Sequence, residues 1–141
     1  MKNVYLDANV ILRFLLGDHP ELFAKSKAIF KMAERNEIRL LVEPVILAEC
    51  CFVLRGKMYA DRFSSKHLIA DALIRMLYLS GVEAENQVML TEALEAYADH
   101  HVDFADAYLA VLARNQSRSV ATFDQDFRRL DVDILIPADV S

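Results

Sequence analysis

Four carboxylates stand at places where the chemistry of a chain could be carried: Asp7, Glu49, Asp106 and Asp124. Asp7 breaks the apolar stretch VYLDANVILRFLL. Glu49 lies within the apolar run PVILAECCFVL. Asp106 lies in VDFADAYLAVLA, and Asp124 ends SVATFD, with Asp126 two residues on. An acid placed between two runs headed for a core is costly to desolvate unless something pairs with it. Carboxylates brought to one cleft repel one another, and a hard cation relieves that repulsion. Oxygen donors without Cys or His suit Mg²⁺ or Mn²⁺. One or two such ions activate water and stabilise an in-line displacement at phosphorus.

Each acid also has a plainer account. Asp7 can cap the helix that follows, or Asp7-Ala8-Asn9 can be a simple turn. Glu49 can be a half-exposed helix residue. Asp103 can be an N-cap, with Asp106 an acid of the first turn favoured by the helix dipole. Asp124 and Asp126 can cap a short helix before Phe127. It is the set, rather than any member, that points to a site.

The elements that must position these residues follow from the pattern of apolar runs and breakers. Asn3 to Leu6 reads as a buried strand, and Val10 to Leu16 as a short helix. Pro20 opens a helix to about Asn36, because proline is favoured at the first helical position. Ile38 to Val42 is a second strand, and Pro44 opens a helix to about Arg55. Ser64 or Ser65 caps a helix from Lys66 to Leu79, and Val82 to Glu85 is a third strand. Asn86 caps a helix to about Asp99, and Asp103 one from Phe104 to about Gln116. Val120 to Phe123 is a strand, Gln125 to Arg129 a short helix, and Ile134 to Ile136 a last strand. Strands alternating with helices predict a mainly parallel sheet covered on both faces, α/β/α. In such sheets reactive groups gather beyond the carboxyl ends of the strands, where Asp7 falls.

Length and composition agree with a single domain spanning residues 1–141. The 141 residues are 55% hydrophobic, with three Gly and three Pro, which disfavours disorder. Cys50 and Cys51 are neighbours, unsuited to a mutual disulfide or a metal spacing, and read as buried small apolar residues. No Cys–His zinc spacing appears among His19, His67, His100 and His101. No export signal or membrane-spanning run is evident, so the expectation is a soluble cytoplasmic protein. The formal net charge is −5. It is unevenly spread: Val82 to Asp106 carries only acids, whereas Arg55, Lys57, Arg62 and Lys66 form a basic stretch broken by Asp61 alone. That stretch, with Arg13, could track an RNA backbone, and Phe52, Tyr59 and Phe63 interleave with it. Such aromatics stack on bases or, as favoured for Phe52, pack in a core or a dimer.

These motifs resemble the PIN-domain family, and within it the small VapC-type toxins of toxin–antitoxin pairs. The resemblance covers nearly the whole chain and rests on Asp7-x-Asn9, EPVILAE ending in Glu49, DFADAYLAVLA with Asp106, and ATFDQDF with Asp124. It implies a PIN-like domain with a central sheet of four to five strands, acting as a metal-dependent endoribonuclease. Asp7, Glu49, Asp106 and Asp124 would be the catalytic and metal-holding quartet with Mg²⁺ or Mn²⁺ as cofactor. Asn9 would orient Asp7, and Asp103 and Asp126 would be secondary candidates, Asp124 and Asp126 remaining alternatives for the fourth acid. Water activated by the metal would hydrolyse an RNA phosphodiester, leaving a 5′-phosphate. The resemblance also implies a homodimer held by a cognate antitoxin. The non-enzymatic alternative is a catalytically silent PIN-like interaction module. An Asp-based phosphohydrolase is less favoured, because Asn9 stands where a second Asp is wanted. No glycine pattern builds a dinucleotide-binding loop.

Overall fold

The computed structural model describes residues 1–137. Its strands are β1 (Lys2–Tyr5), β2 (Ile38–Leu41), β3 (Val82–Glu83), β4 (Val120–Ala121) and β5 (Ile134–Leu135). Between them run α1 (Ala8–Leu16), α2 (Pro20–Glu34), α3 (Pro44–Leu54), α4 (Lys66–Leu77), α5 (Gln87–Asp99) and α6 (Phe104–Asn115). Short 3-10 helices occupy Lys57–Tyr59 and Gln125–Leu130. The class is α/β/α and mainly helical, as the alternation of elements predicts.

The local chemistry explains the boundaries. Pro20 and Pro44 begin their helices where a missing N–H costs nothing. His19, Ser65 and Asn86 each accept a backbone N–H three residues on, from Leu22, Leu68 and Met89. Gly17 closes α1 in the left-handed conformation, its N–H bonded to the Arg13 carbonyl.

Every strand pairing is parallel, in the order β1-β2-β3, with a separate two-stranded ladder β4-β5. The sequence pattern suggests one continuous sheet, whereas the described strands form two ladders, and β4 itself ends early. The Thr122 hydroxyl accepts the Asp124 N–H at 3.0 Å, and the Asp124 carboxylate accepts the Asp126 N–H at 2.9 Å. These short-range bonds turn the backbone out of the strand two residues earlier than the apolar pattern indicates.

The main core gathers residues from β1 through α6, including Ile11, Leu40, Leu47, Leu54, Leu73 and Leu94, all at 0% exposure. A smaller cluster of Ala110, Ala113, Val120, Phe127 and Leu130 seats the β4-β5 ladder against α6. Helix α3 packs against α1, α4 and α6. It is therefore the element through which the N-terminal and C-terminal acids can be brought to one face.

Candidate metal and phosphodiester site

Asp7 occupies the N-cap position of α1 in extended conformation (φ −86°, ψ 151°), yet its side chain makes no cap hydrogen bond. Its carbonyl accepts from Val10 and Ile11, so the backbone does the starting of the helix. Asp103 holds the same position on α6 and likewise withholds its carboxylate. A carboxylate at an N-cap ordinarily bonds the second or third amide. Two carboxylates at N-caps, both exposed and both unused there, are available for a ligand instead. Asp124 differs: one oxygen caps the 3-10 turn through Asp126, as its plainer account proposes, and the other is not committed by that bond.

Glu49 is exposed on α3 beside Cys50, which is fully buried. Burial, then the nearby Glu49 carboxylate, then that of Asp7, push the Cys50 thiol up to about 12. Asp7 and Glu49 therefore both act on one point from adjoining elements. Burial also raises the Cys51 thiol above its ordinary value. Both cysteines stay protonated near neutrality, and a protonated, enclosed thiol is neither a nucleophile nor a metal ligand.

Asp106 is half-buried one turn into α6. Its carboxyl is pushed above the ordinary range, first by burial, then by the charges of Asp103 and Asp124. That ordering places Asp103, Asp106 and Asp124 together. All three line a cleft of about 560 Å³ whose walls also include Phe52, Arg55, Tyr97, His101 and Lys66. Asp7, Glu49 and Asp126 are not among its lining residues.

Among the described residues no three Asp, Glu, His or Cys side chains converge closely enough to enclose an ion. The donor chemistry nonetheless fits a hard cation. Mg²⁺ keeps several waters and takes only one or two carboxylates directly. The Asp106 group, with Asp7 and Glu49 on the adjoining helices, offers uncommitted oxygens of that kind.

The remaining candidates divide. Asn9 is exposed in the first turn of α1, and no hydrogen bond joins it to Asp7 among the described residues. The Arg13 guanidinium donates to Asp18 at 2.9 Å. Arg62 donates to the carbonyls of Leu15 and Leu16, satisfying the end of α1. Lys57 is exposed in its 3-10 turn. Phe63 is core at 8% exposure, whereas Phe52, for which packing is the favoured reading, is 83% exposed.

Lys66 has a role that composition alone does not reveal. Its ammonium donates to the carbonyls of His100 (2.8 Å) and Val102 (2.7 Å) and sits 4.3 Å from the centre of the Tyr97 ring. It thereby ties α4 to the α5–α6 loop that delivers Asp103 and Asp106. The Lys66 ammonium is held below its ordinary pKa by burial and by Arg55 beside it. Replacing Lys66 with Met keeps the stem and removes the donors. Loss of two charge-assisted bonds at a half-exposed position is expected to cost about 1–2 kcal/mol. Urea unfolding and faster amide exchange at His100–Asp103 would check it.

A family model described as PIN domain matches residues 4–133. No curated protein matches the chain. Among solved structures, one described as the crystal structure of FitAcB from Neisseria gonorrhoeae aligns at 19% identity, covering 94% of this chain and 96% of that chain, with a TM-score of 0.34.

Proposed function

The chain belongs to the PIN domain family, a family of nucleases, and from that premise we propose that it is a metal-dependent endoribonuclease, the toxin of a toxin–antitoxin pair. The observation that carries the reading is that Asp103, Asp106 and Asp124 line one open cleft, where burial and both neighbouring charges push the Asp106 carboxyl up. Like charges crowded in this way lower stability unless they hold a cation. The toxin role, the antitoxin partner and a homodimeric state rest on the motif resemblance alone.

Asp7, Glu49, Asp106 and Asp124 would hold Mg²⁺ or Mn²⁺, which when bound supplies activated water and offsets charge developing at phosphorus. Asp106 sits on the first turn of α6, where the helix dipole favours its charged form against the repulsion of its neighbours. Asp103 and Asp7 are both exposed and make no cap hydrogen bond, which leaves their oxygens available to a ligand. Asp124 is proposed over Asp126 as the fourth acid because it lines the cleft. Lys66 fixes the loop that carries Asp103, and so positions the acids without touching the scissile group. No side-chain nucleophile is required, and the buried thiols offer none.

The test compares wild type with Asp7→Asn on total cellular RNA, with Mg²⁺ or Mn²⁺ and with EDTA, mapping new 5′-phosphate ends by sequencing. Discrete ends from wild type with metal, absent from the variant and from EDTA samples, are expected. Equal patterns from both proteins would sink the assignment of Asp7. The rival reading, a silent interaction module, draws on the absence of three converging ligands among the described residues. It requires that Mn²⁺ leave the melting temperature unchanged, whereas a ligand that binds only the folded state raises it.

A further inference from the structure

Three of the chain's ten arginines line one cavity, and it is not the acidic cleft. Arg114, Arg118 and Arg128 border a space of about 800 Å³. Ser119 and Asp133, which also line it, directly precede β4 and β5. Asp124 follows β4, so the cavity lies at the opposite end of that ladder from Asp124. Two left-handed turns build it. Helix α6 stops at Gln116, and Ser117 takes the left-handed position (φ 54°) that a glycine usually fills. The Arg118 N–H then returns to the Ala113 carbonyl at 2.8 Å, which turns the chain back at the end of α6. Asp131, also left-handed (φ 56°), ends the 3-10 helix that carries Arg128.

Neutral acceptors hold the two outer guanidiniums. Arg118 donates to the Gln116 side-chain oxygen and Arg128 to that of Gln125, both at 2.8 Å. No other arginine among the described residues is held by a side-chain amide. Arg13, Arg35 and Arg39 face carboxylates instead, and Arg62 serves the carbonyls that end α1. A neutral acceptor fixes the planar group without cancelling its charge, and most of its N–H donors stay uncommitted. Arg114 is anchored to the Leu130 carbonyl at 2.8 Å, tying α6 to the 3-10 helix. Forked, pre-positioned guanidiniums match the oxygens of a phosphate. The space exceeds a bare phosphate and falls in the range of small-molecule sites. Its other charged groups are the Asp131 and Asp133 carboxylates. These repel a strand whose every linkage is anionic, but they accept from the hydroxyls of a sugar.

We infer that this cavity is a binding site for a sugar phosphate of nucleotide size, Arg118 and Arg128 receiving the phosphate and the Asp131 and Asp133 carboxylates accepting the sugar hydroxyls. The site is independent of the nuclease reading, because it uses none of the acids or cations of the cleft. It selects one phosphate on a neutral, hydroxylated body. A bare anion leaves the carboxylates without donors, and a polyanion sets further charges against them.

The test is an NMR titration of the ¹⁵N-labelled chain with each of the four ribonucleoside 5′-monophosphates, with adenosine and with inorganic phosphate. EDTA is present, so that no metal carries phosphate to the acidic cleft. A monophosphate is expected to shift the amides of residues 117–119 and 131–133 saturably, and adenosine to shift none. Arg118→Gln and Arg128→Gln are each expected to weaken it about 10- to 100-fold. Both side chains are exposed, so the variants should melt like wild type, and if one does not, the other carries the comparison. Asp133→Ala is expected to weaken the monophosphate yet tighten inorganic phosphate, since it removes both a hydroxyl acceptor and a charge that repels the anion. Equal binding by wild type and the arginine variants would overturn the site, as would shifts confined to the Asp103–Asp106 cleft. Inorganic phosphate binding as tightly as every monophosphate would leave a patch for anions in general, and the nucleotide site is then overturned. Displacement of the monophosphate by an oligoribonucleotide without terminal phosphates would make the cavity a polyanion track and overturn it likewise. No binding by any of the four at millimolar concentration also ends the proposal.

Discussion

Asp106→Asn is expected to silence RNA cleavage by at least ~100-fold and, without metal, to melt at a higher temperature than wild type. The two effects share one cause. Asp106 sits half-buried beside Asp103 and Asp124, and its carboxyl is pushed above the ordinary range by burial and by both charges. The folded protein therefore holds a proton on Asp106 more tightly than the unfolded chain does. Stability falls as pH rises from the unfolded carboxylate value toward the raised folded one, and the loss persists at neutrality. Asparagine carries no charge to repel, so its advantage is full at pH 7 and shrinks as pH falls through that window, where wild type takes up its proton. Bound Mn²⁺ reverses the ranking: an ion at 100 times its Kd stabilises the folded state by about 2.7 kcal/mol, and the variant forgoes most of this. Melting curves of both proteins at pH 7 and near pH 4, in EDTA and in Mn²⁺, give the four comparisons. A variant no more stable than wild type in EDTA at pH 7 would mean the three carboxylates do not press on one another in solution. A variant that gains as much from Mn²⁺ as wild type would remove Asp106 from the metal site.

How far the residues announce this arrangement varies with the range of the interactions involved. Helix starts depend on a few adjacent residues, and Pro20, Pro44, Ser65 and Asn86 fall where proline geometry and side-chain capping put them. The acids are equally visible, since an Asp or Glu within apolar runs has few comfortable alternatives. What the sequence does not carry is how a side chain at one place is spent elsewhere. Arg62 and Lys66 look like free cations in a basic stretch. Each instead satisfies carbonyls more than 30 residues away, Leu16 for Arg62 and His100 and Val102 for Lys66. Phe52 and Phe63 are both aromatics in the same stretch, yet one is solvent-facing and the other core, a distinction made by tertiary packing alone. Asp103 reads as an N-cap and stands at one, but whether its oxygen bonds the helix or faces the cleft is decided by the loop that Lys66 anchors. The early end of β4 at Ala121 goes with Thr122 and Asp124 bonding locally rather than extending the strand. Apolar periodicity cannot register a choice of that kind.

Gly81→Ala is expected to destabilise the fold by roughly 3 kcal/mol or more, the largest single-residue effect on stability predicted for this chain. Gly81 has φ +83°, which an L-residue adopts at a cost of about 1–2 kcal/mol. The added Cβ would also lie 2.7 Å from the Ala33 carbonyl carbon and 2.8 Å from the Ala33 Cβ, with the Ala33 carbonyl oxygen closer still. Those atoms cannot yield cheaply, because Ala33 is fully buried within the fifteen-residue helix α2. Relief must come from the other side, where the Gly81 carbonyl accepts the Leu40 N–H at 2.8 Å and opens the β2–β3 ladder. Moving it loosens the next rung, Val42 N–H to Glu83 carbonyl, and with it the strand end from which α3 and Glu49 are launched. Gly17→Ala provides the contrast. Its φ is +60°, but a Cβ there meets only the Phe23 ring at 3.8 Å, so the strain of the left-handed backbone acts alone, about 1–2 kcal/mol. Urea unfolding of the two variants separates close approach from backbone preference. Equal losses would show that α2 and the β3 entry separate in solution more readily than their contact implies. A Gly81→Ala loss at least twice that of Gly17→Ala, with activity per folded molecule retained, would show that the close approach of Gly81 to Ala33 stabilises the fold without setting the geometry of the site.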